Sequence, residues 1–176
     1  HKRALARMSQ TDSLTGLSNH GAWQELLLRE FARCRANAGS SCLALIDVDH
    51  FKQVNDRHGH QVGDNILRVI SATLSFHLRK HDPAARYGGD EFCVMLPDTT
   101  PGQARDVLER LRLAVEAFRD PALPHLTLSL SIGIASYHAG ITDAQAWLHA
   151  ADMALYAAKR AGRNCIVLAP QASEPA

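Results

Sequence analysis

An excess of charge of one sign is the first thing this sequence lacks: 19 lysines and arginines stand against 18 aspartates and glutamates, a formal net charge of +1. Such a balance excludes a broad electropositive surface for nucleic acid or anionic lipid, so any phosphate-bearing ligand must be held by local groups. Cysteine is sparse and scattered. Cys34, Cys42, Cys93 and Cys165 contain no CxxC pair, so they read as reduced packing residues rather than zinc ligands or disulfides. No apolar run approaches the roughly 18 residues of a membrane helix, and the start is not a signal peptide. The expectation is a cytoplasmic domain with no nucleic-acid partner and no membrane contact of its own, which leaves room for a membrane sensor upstream. Internal repeats and low-complexity linkers are also missing. The 176 residues therefore suit one domain with one core.

What is present organises that domain. Residues 1–10 are basic and helix-prone and are led by no initiator Met, so they are expected to end an upstream coupling helix. Residues 11–168 form the domain proper, and 169–176 a disordered tail. Trp23, Leu26, Leu27, Phe31 and Cys34 recur at helical spacing and predict a helix over about 21–38, stopped by Ala38-Gly39-Ser40. An apolar run from Cys42 ends in Asp47-Val48-Asp49, as in a buried strand emerging at a functional edge. An amphipathic helix follows over about 62–78. Strands over 84–87 and 92–96 flank Gly88-Gly89, a tight-turn signal. A helix over 101–118, a strand over 126–135, a helix over 143–161 and a strand over 165–168 complete the chain. Mixed elements around one hairpin, rather than strictly alternating βα units, predict an α+β sandwich of sheet and helices.

Asp47 and Asp49 are two apart on a strand, so both carboxylates are expected on one face at its carboxyl end, where they would attract a hard cation. Alone, such a pair is usually a solvated turn. Three longer strings accompany it: Asp12-Ser13-Leu14-Thr15-Gly16-Leu17, Asp47-Val48-Asp49-His50-Phe51-Lys52-Gln53-Val54-Asn55-Asp56 and Arg86-Tyr87-Gly88-Gly89-Asp90-Glu91-Phe92. Together with Ser131-Ile132-Gly133-Ile134-Ala135 and the stretch from Ala151 to Asn164, they resemble the GGDEF family of diguanylate cyclases. The resemblance implies a palm-like nucleotide cyclase fold, a central and mostly antiparallel sheet flanked by helices. It implies condensation of two GTP into cyclic di-GMP and two pyrophosphates.

That chemistry drives a 3′-hydroxyl onto an α-phosphate, with charge gathering on entering and leaving oxygens. Mg²⁺, two ions per active site with Mn²⁺ able to substitute, answers this charge. Asp47, the Val48 carbonyl and Asp90 are the candidate ligands, and the resemblance makes Asp90 the acceptor of the 3′-hydroxyl proton. Gly88 and Gly89 let the chain approach a triphosphate. Glu91 matches a required position, although alternation puts it across the strand from Asp90. By resemblance, Phe51 and Lys52 belong to the substrate site, Lys52 stabilising transition-state charge. Lys159 and Arg163 are four apart and therefore expected on one helix face, usually a solvated one; by resemblance they hold the terminal phosphates. Asp64 can accept from guanine N1–H and N2–H₂, which favours GTP over ATP; Asn55 can add contacts, and by resemblance His60 lines the pocket. His58 and His60 could suggest zinc but lack further ligands at suitable spacing.

The product's two equivalent phosphodiester bonds imply a C2 homodimer with one GTP per chain. Arg79-Lys80-His81-Asp82 has the form RxxD, where many relatives bind cyclic di-GMP as an inhibitor; outside that setting it would be an exposed ion pair of little weight. Asn19-His20-Gly21 stands where many relatives carry paired arginines, so a partner contact to that inhibitor is expected to be missing. Two rivals remain: an inactive cyclic di-GMP receptor, and a cyclase making another nucleotide product.

Overall fold

The computed structural model describes residues 9–171. The expected coupling helix falls largely outside them, as do residues 172–176 of the expected tail. The described elements are α1 (His20–Asn37), β1 (Cys42–Val48), α2 (Phe51–His58), α3 (His60–His77), β2 (Ala84–Arg86), β3 (Glu91–Leu96), α4 (Pro101–Ala117), β4 (Leu130–Ser136), α5 (Ala144–Arg160) and β5 (Ile166–Leu168). The strands form one sheet in the order β2-β3-β1-β4-β5, antiparallel except where β5 runs parallel to β4.

Strand alternation divides the core into two layers. Cys42, Ala44, Ile46 and Val48 of β1 join Phe92, Val94 and Leu96 of β3 beneath α3 and α4. Leu43 and Leu45 join Cys93 and Met95 on the other face, where Trp23 and Phe31 of α1 and Trp147 and Leu155 of α5 close over them. Gly133 of β4 makes that second interface tight: a Cβ there would stand 2.2 Å from the Leu155 amide nitrogen and 2.4 Å from the Ala151 carbonyl oxygen. All four cysteines are free, as expected, and burial pushes the Cys42 thiol up to about 12, which removes its reactivity at neutral pH.

The helix starts are chemically marked. Asn19 caps α1 by accepting from the Ala22 N–H, Thr100 and Gln103 form a reciprocal capping box on α4, and Asp143 accepts from the Ala146 N–H at α5. The structure adds one helix and corrects three expectations. Residues 51–58 form a helix that the hydrophobic pattern did not announce, because only Phe51 and Val54 are buried along it; Gly59, at φ +91°, separates it from α3. The strand expected from Leu126 begins at Leu130, which pairs with Val48, the last residue of β1; beyond it one further backbone bond, from the Asp49 N–H to the Ser129 carbonyl at 3.0 Å, joins the two chains before they part. Arg163 does not share a helix face with Lys159: α5 ends at Arg160, and Arg163 lies in the turn at φ +65°. Asp49, expected beside Asp47 to attract a cation, lies past the end of β1 on the same face but is turned inward onto Ser129 Oγ and onto Ser131 Oγ, the side chain of Asp47's cross-strand partner. At the far end, the Ala169 N–H still donates to the Ile134 carbonyl, so pairing continues one residue beyond β5.

Candidate active site

The sheet's open edge gathers the acidic residues. Asp47 is paired across the ladder with Glu91, so the pleat sends both carboxylates to the α5 face. Lys159 comes down from α5 onto the same spot and pairs with Asp47. Burial, the largest effect, raises the Asp47 pKa; Lys159 opposes it, and the charges of Asp90 and Asp49 add to it. Glu91 is raised in the same way, by burial and then by Asp47. For Lys159, burial works against the ammonium, but the hydrogen bond and charge of Asp47, with Glu91 and Asp90 behind them, leave its pKa raised. Asp47, Asp90, Glu91 and Lys159 are therefore one electrostatic cluster in which a cation is already held against carboxylates. The Glu91 position, read from the sequence as lying across the strand from Asp90, is that of Asp47's cross-strand partner.

The donor set can be tested against a divalent ion. Among the described residues, no three His, Cys, Asp or Glu side chains close into a cage. Two carboxylates and a backbone carbonyl form an open set, the pattern Mg²⁺ accepts when waters and phosphate oxygens complete its shell. Asp47, Val48 and Asp90 fit that pattern. Asp49 does not join them: its carboxylate, 8% exposed as a residue, accepts from Ser129 Oγ at 2.6 Å, Ser131 Oγ at 2.6 Å and the Asn164 N–H at 3.1 Å. It ties β1 to β4 and to the turn after α5.

The hairpin above the cluster is braced. The Tyr87 N–H and Gly88 N–H donate to the Glu91 carbonyl at 2.7 and 3.2 Å, closing the Gly88-Gly89 turn. Arg86 donates from Nη2 to the Gly89 carbonyl at 2.8 Å and from Nη1 to Asp12 Oδ1 at 3.3 Å. Asp12 Oδ2 in turn accepts from the Thr15 N–H and Oγ at 2.9 and 2.7 Å. Burial pushes the Asp12 pKa up, but these hydrogen bonds and Arg86 outweigh it and hold the carboxyl below its ordinary 3.8. His20 stands with Nδ1 3.2 Å from the Tyr87 carbonyl and its ring edge-on to Tyr87. Sequence reasoning assigned no role to Arg86 or Thr15 and none to His20 beyond its departure from paired arginines. The Asp12–Thr15 spacing, typical of a side chain capping its own turn, was the available signal for the first brace.

A notch between α2 and α3 holds the residues expected to read the base. Asn55 Oδ1 is buried without a hydrogen-bond partner, one of two such side-chain atoms among the described residues. Lys52, His60 and Asp64 are exposed around the same two helices. Arg79 and Asp82 are elsewhere, at the far end of β3: Arg79 Nη2 donates to the Pro97 carbonyl at 2.7 Å and to Thr99 Oγ1 at 2.9 Å. Six residues of β3 at about 3.3 Å each put that end about 20 Å from Asp90. Asp82, whose side chain is 2% exposed, accepts from the Arg79 backbone N–H and guanidinium, while the Arg79 side chain is 47% exposed. Solvent thus meets the guanidinium rather than the carboxylate.

Comparison with known proteins agrees with this architecture. The sequence model of the diguanylate cyclase GGDEF domain matches residues 9–165. The chain is 40% identical over 93% of its length to the probable diguanylate cyclase DgcC of Escherichia coli K12, and 44% identical over 96% to the diguanylate cyclase DgcP of Pseudomonas aeruginosa. It spans 44% and 25% of those two proteins. The crystal structure of the coiled coil and GGDEF domain of DgcB from Caulobacter crescentus, solved with cyclic di-GMP, superposes with a TM-score of 0.89 at 32% identity, covering 96% of this chain and 90% of that one. Among the described residues no helix is long and apolar enough to cross a membrane. With the α+β palm-like fold and the glycine hairpin over paired acids in place, the chain belongs to the GGDEF family of diguanylate cyclase domains.

Proposed function

We propose that this chain condenses two molecules of GTP into cyclic di-GMP, releasing two pyrophosphates. The observation that carries the reading is the cluster of Asp47, Asp90 and Glu91 with Lys159 drawn onto it, beneath a turn with no side chain on either Gly88 or Gly89. Asp47, Asp90 and the Val48 carbonyl would hold Mg²⁺ or Mn²⁺, which neutralises charge on the α-phosphate and on the oxygens entering and leaving it. Lys52 and Lys159, with Arg163 from the turn, bind the β- and γ-phosphates and stabilise the departing pyrophosphate. Asp90 accepts the proton of the attacking 3′-hydroxyl, and Glu91 keeps the neighbouring Asp47 and Lys159 in register. Asn55 and Asp64 accept from guanine N1–H and N2–H₂; the unpartnered Asn55 Oδ1 is a buried acceptor of the kind a guanine donor satisfies. Phe51 and His60 line the same notch.

One chain offers one such site, while each new bond joins the 3′-oxygen of one GTP to the α-phosphate of the other. A C2 homodimer with facing sites supplies both attacks. Product inhibition at Arg79 and Asp82 belongs to the same proposal. It rests on the half-exposed Arg79 side chain: Nε and Nη2 are given to Asp82, Pro97 and Thr99, and Nη1, without a hydrogen bond among the described residues, can meet guanine O6 or N7.

The test is the chain with GTP and Mg²⁺, followed by product mass. Cyclic di-GMP is expected from the wild type and none from Asp90→Asn at unchanged thermal stability. Binding of cyclic di-GMP without turnover at any protein concentration would instead make the chain a receptor, and a mixed product from GTP with ATP would make it a different cyclase.

A further inference from the structure

Helix α2 has a second functional face. Lys52 and Asn55 look toward the substrate notch, but His50, Gln53, Val54, Arg57 and His58, spaced as one helical stripe, line a separate cavity of about 800 Å³. Its opposite wall is the end of α4 and the loop over residues 119–129, with Arg119 and His125. Its floor is Asp49, Ser129 and Asn164, the back of the strand tip that carries Asp47.

The lining is basic where it is free and acidic only where it is engaged. Asp49 is taken up by Ser129, Ser131 and Asn164. Glu116 accepts from Asn164 Nδ2 and lies 3.6 Å from Arg112. Arg57 has no ion pair among the described residues, and Arg119 donates only to the backbone carbonyls of Glu116 and Phe118, at 2.8 and 2.7 Å. Two guanidiniums with unengaged N–H groups and three imidazoles thus face the space, against two carboxylates whose oxygens already accept from neighbouring groups. The formal charge of the lining is balanced, Arg57 and Arg119 against Asp49 and Glu116, so what is concentrated here is forked donors rather than net charge. Val54, Leu126 and Leu128 add an aliphatic wall.

We propose that this cavity is a second anion site, which takes the phosphoryl groups of a small molecule between Arg57 and Arg119. Forked guanidinium donors match phosphoryl oxygens, and imidazoles beside a dianion add further donors. Two sources share that chemistry: the inorganic pyrophosphate that condensation releases, and a nucleoside monophosphate, whose base and sugar would rest on the aliphatic wall. An occupant would bear on the Asp49–Ser129–Ser131–Asn164 web and so reach the strand tip from behind.

The experiment reads binding directly, without turnover. The isotopically labelled chain is titrated with pyrophosphate and, separately, with GMP in the absence of divalent metal, and backbone amide shifts are followed. Saturable shifts are expected at residues 50–58 and 119–129. The double variant Arg57→Gln/Arg119→Gln should weaken affinity by about a hundredfold, about tenfold for each charge-assisted hydrogen bond removed, whereas Lys52→Ala should leave it unchanged. Saturation by pyrophosphate alone assigns the site to a bare anion, and tighter binding of GMP assigns the aliphatic wall to a nucleoside. Shifts confined to residues 47–52 and 159–163, loss of binding with Lys52→Ala, unaltered affinity in the double variant, or no saturation by either probe at millimolar concentration would each overturn the proposal. Both arginines are exposed, so the variants are expected to melt as the wild type does.

Discussion

Gly63 of α3 faces Asn55 of α2 so closely that a Cβ would lie 1.8 Å from Asn55 Oδ1, 2.9 Å from its Cγ and 3.1 Å from Phe51 Cζ. The missing side chain is therefore what lets the carboxamide sit in the notch with its oxygen buried. A buried acceptor without a partner costs about 1–3 kcal/mol, a cost that a ligand donor would remove. Gly63→Ala must push the carboxamide aside, since the helix backbone beneath it cannot yield as readily. The expected result is a KM for GTP raised about tenfold or more with kcat reduced much less, because one base contact is worth about 1.4 kcal/mol or more in affinity. Steady-state rates against GTP concentration check this, and a fall in kcat at constant KM would place Asn55 outside base recognition.

At the scale of elements, the glycine hairpin is only as well placed as its brace. Arg86 of β2 joins the Gly89 carbonyl to Asp12, and Asp12 is fixed by Thr15. Arg86→Gln keeps a donor but loses the fork and the charge. Turnover should fall at least tenfold with the KM for GTP little changed, because displacing a reacting group by about 1 Å can cost about a hundredfold in rate while the base notch lies on other elements. The same substitution has a pH signature. Asp12 is held below its ordinary 3.8, so its ionised form adds stability above that pH and the contribution is lost as pH falls through the lower native value. The stability gap between wild type and Arg86→Gln should therefore be largest near neutrality and narrow in acid, as measured by denaturant midpoints at neutral pH and near pH 3.

The brace also shows where the sequence was legible. An apolar run specified β1, apolar residues at helical spacing specified α1 and α3, and the glycine pair specified the hairpin of β2 and β3. These are signals of burial, and burial is what periodicity reports. Helix α2 was silent because a short helix with polar residues on both flanks buries only Phe51 and Val54. Arg163 was misplaced because the last helical turn ends through a left-handed backbone at Arg163 and Asn164, a conformation that residue type does not announce. Asp49 looked like Asp47's companion at a cation because spacing reports a shared face and not the partners a side chain finds there, in this case Ser129 and Asp47's own cross-strand neighbour Ser131. The acids were named by spacing; their division into a site residue and a strut required the partners Ser129 and Ser131, 80 residues or more away in sequence.

At the scale of the whole molecule, helices cover both faces of the sheet and leave the strand tips as the open edge. One chain presents one set of Asp47, Asp90 and Lys159, and under the proposed reaction a cyclic product with two equivalent bonds would need two such sets facing each other. If turnover belongs to the dimer, the rate at low protein concentration grows as the square of concentration, and specific activity grows linearly before it levels off when the dimer is fully formed. The expected plot of specific activity against concentration at saturating GTP and Mg²⁺ is therefore a rise to a plateau. Its midpoint should coincide with the dimer dissociation constant measured by sedimentation under the same conditions. Mixing the wild type with Asp90→Asn sharpens the test, since a mixed dimer retains one competent site and can form only one of the two bonds. Cyclic product should fall faster than the wild-type fraction, with a linear dinucleotide appearing in its place. Specific activity that stays constant through dilution would mean that both bonds are made by one chain, and the two-fold arrangement would have to be abandoned.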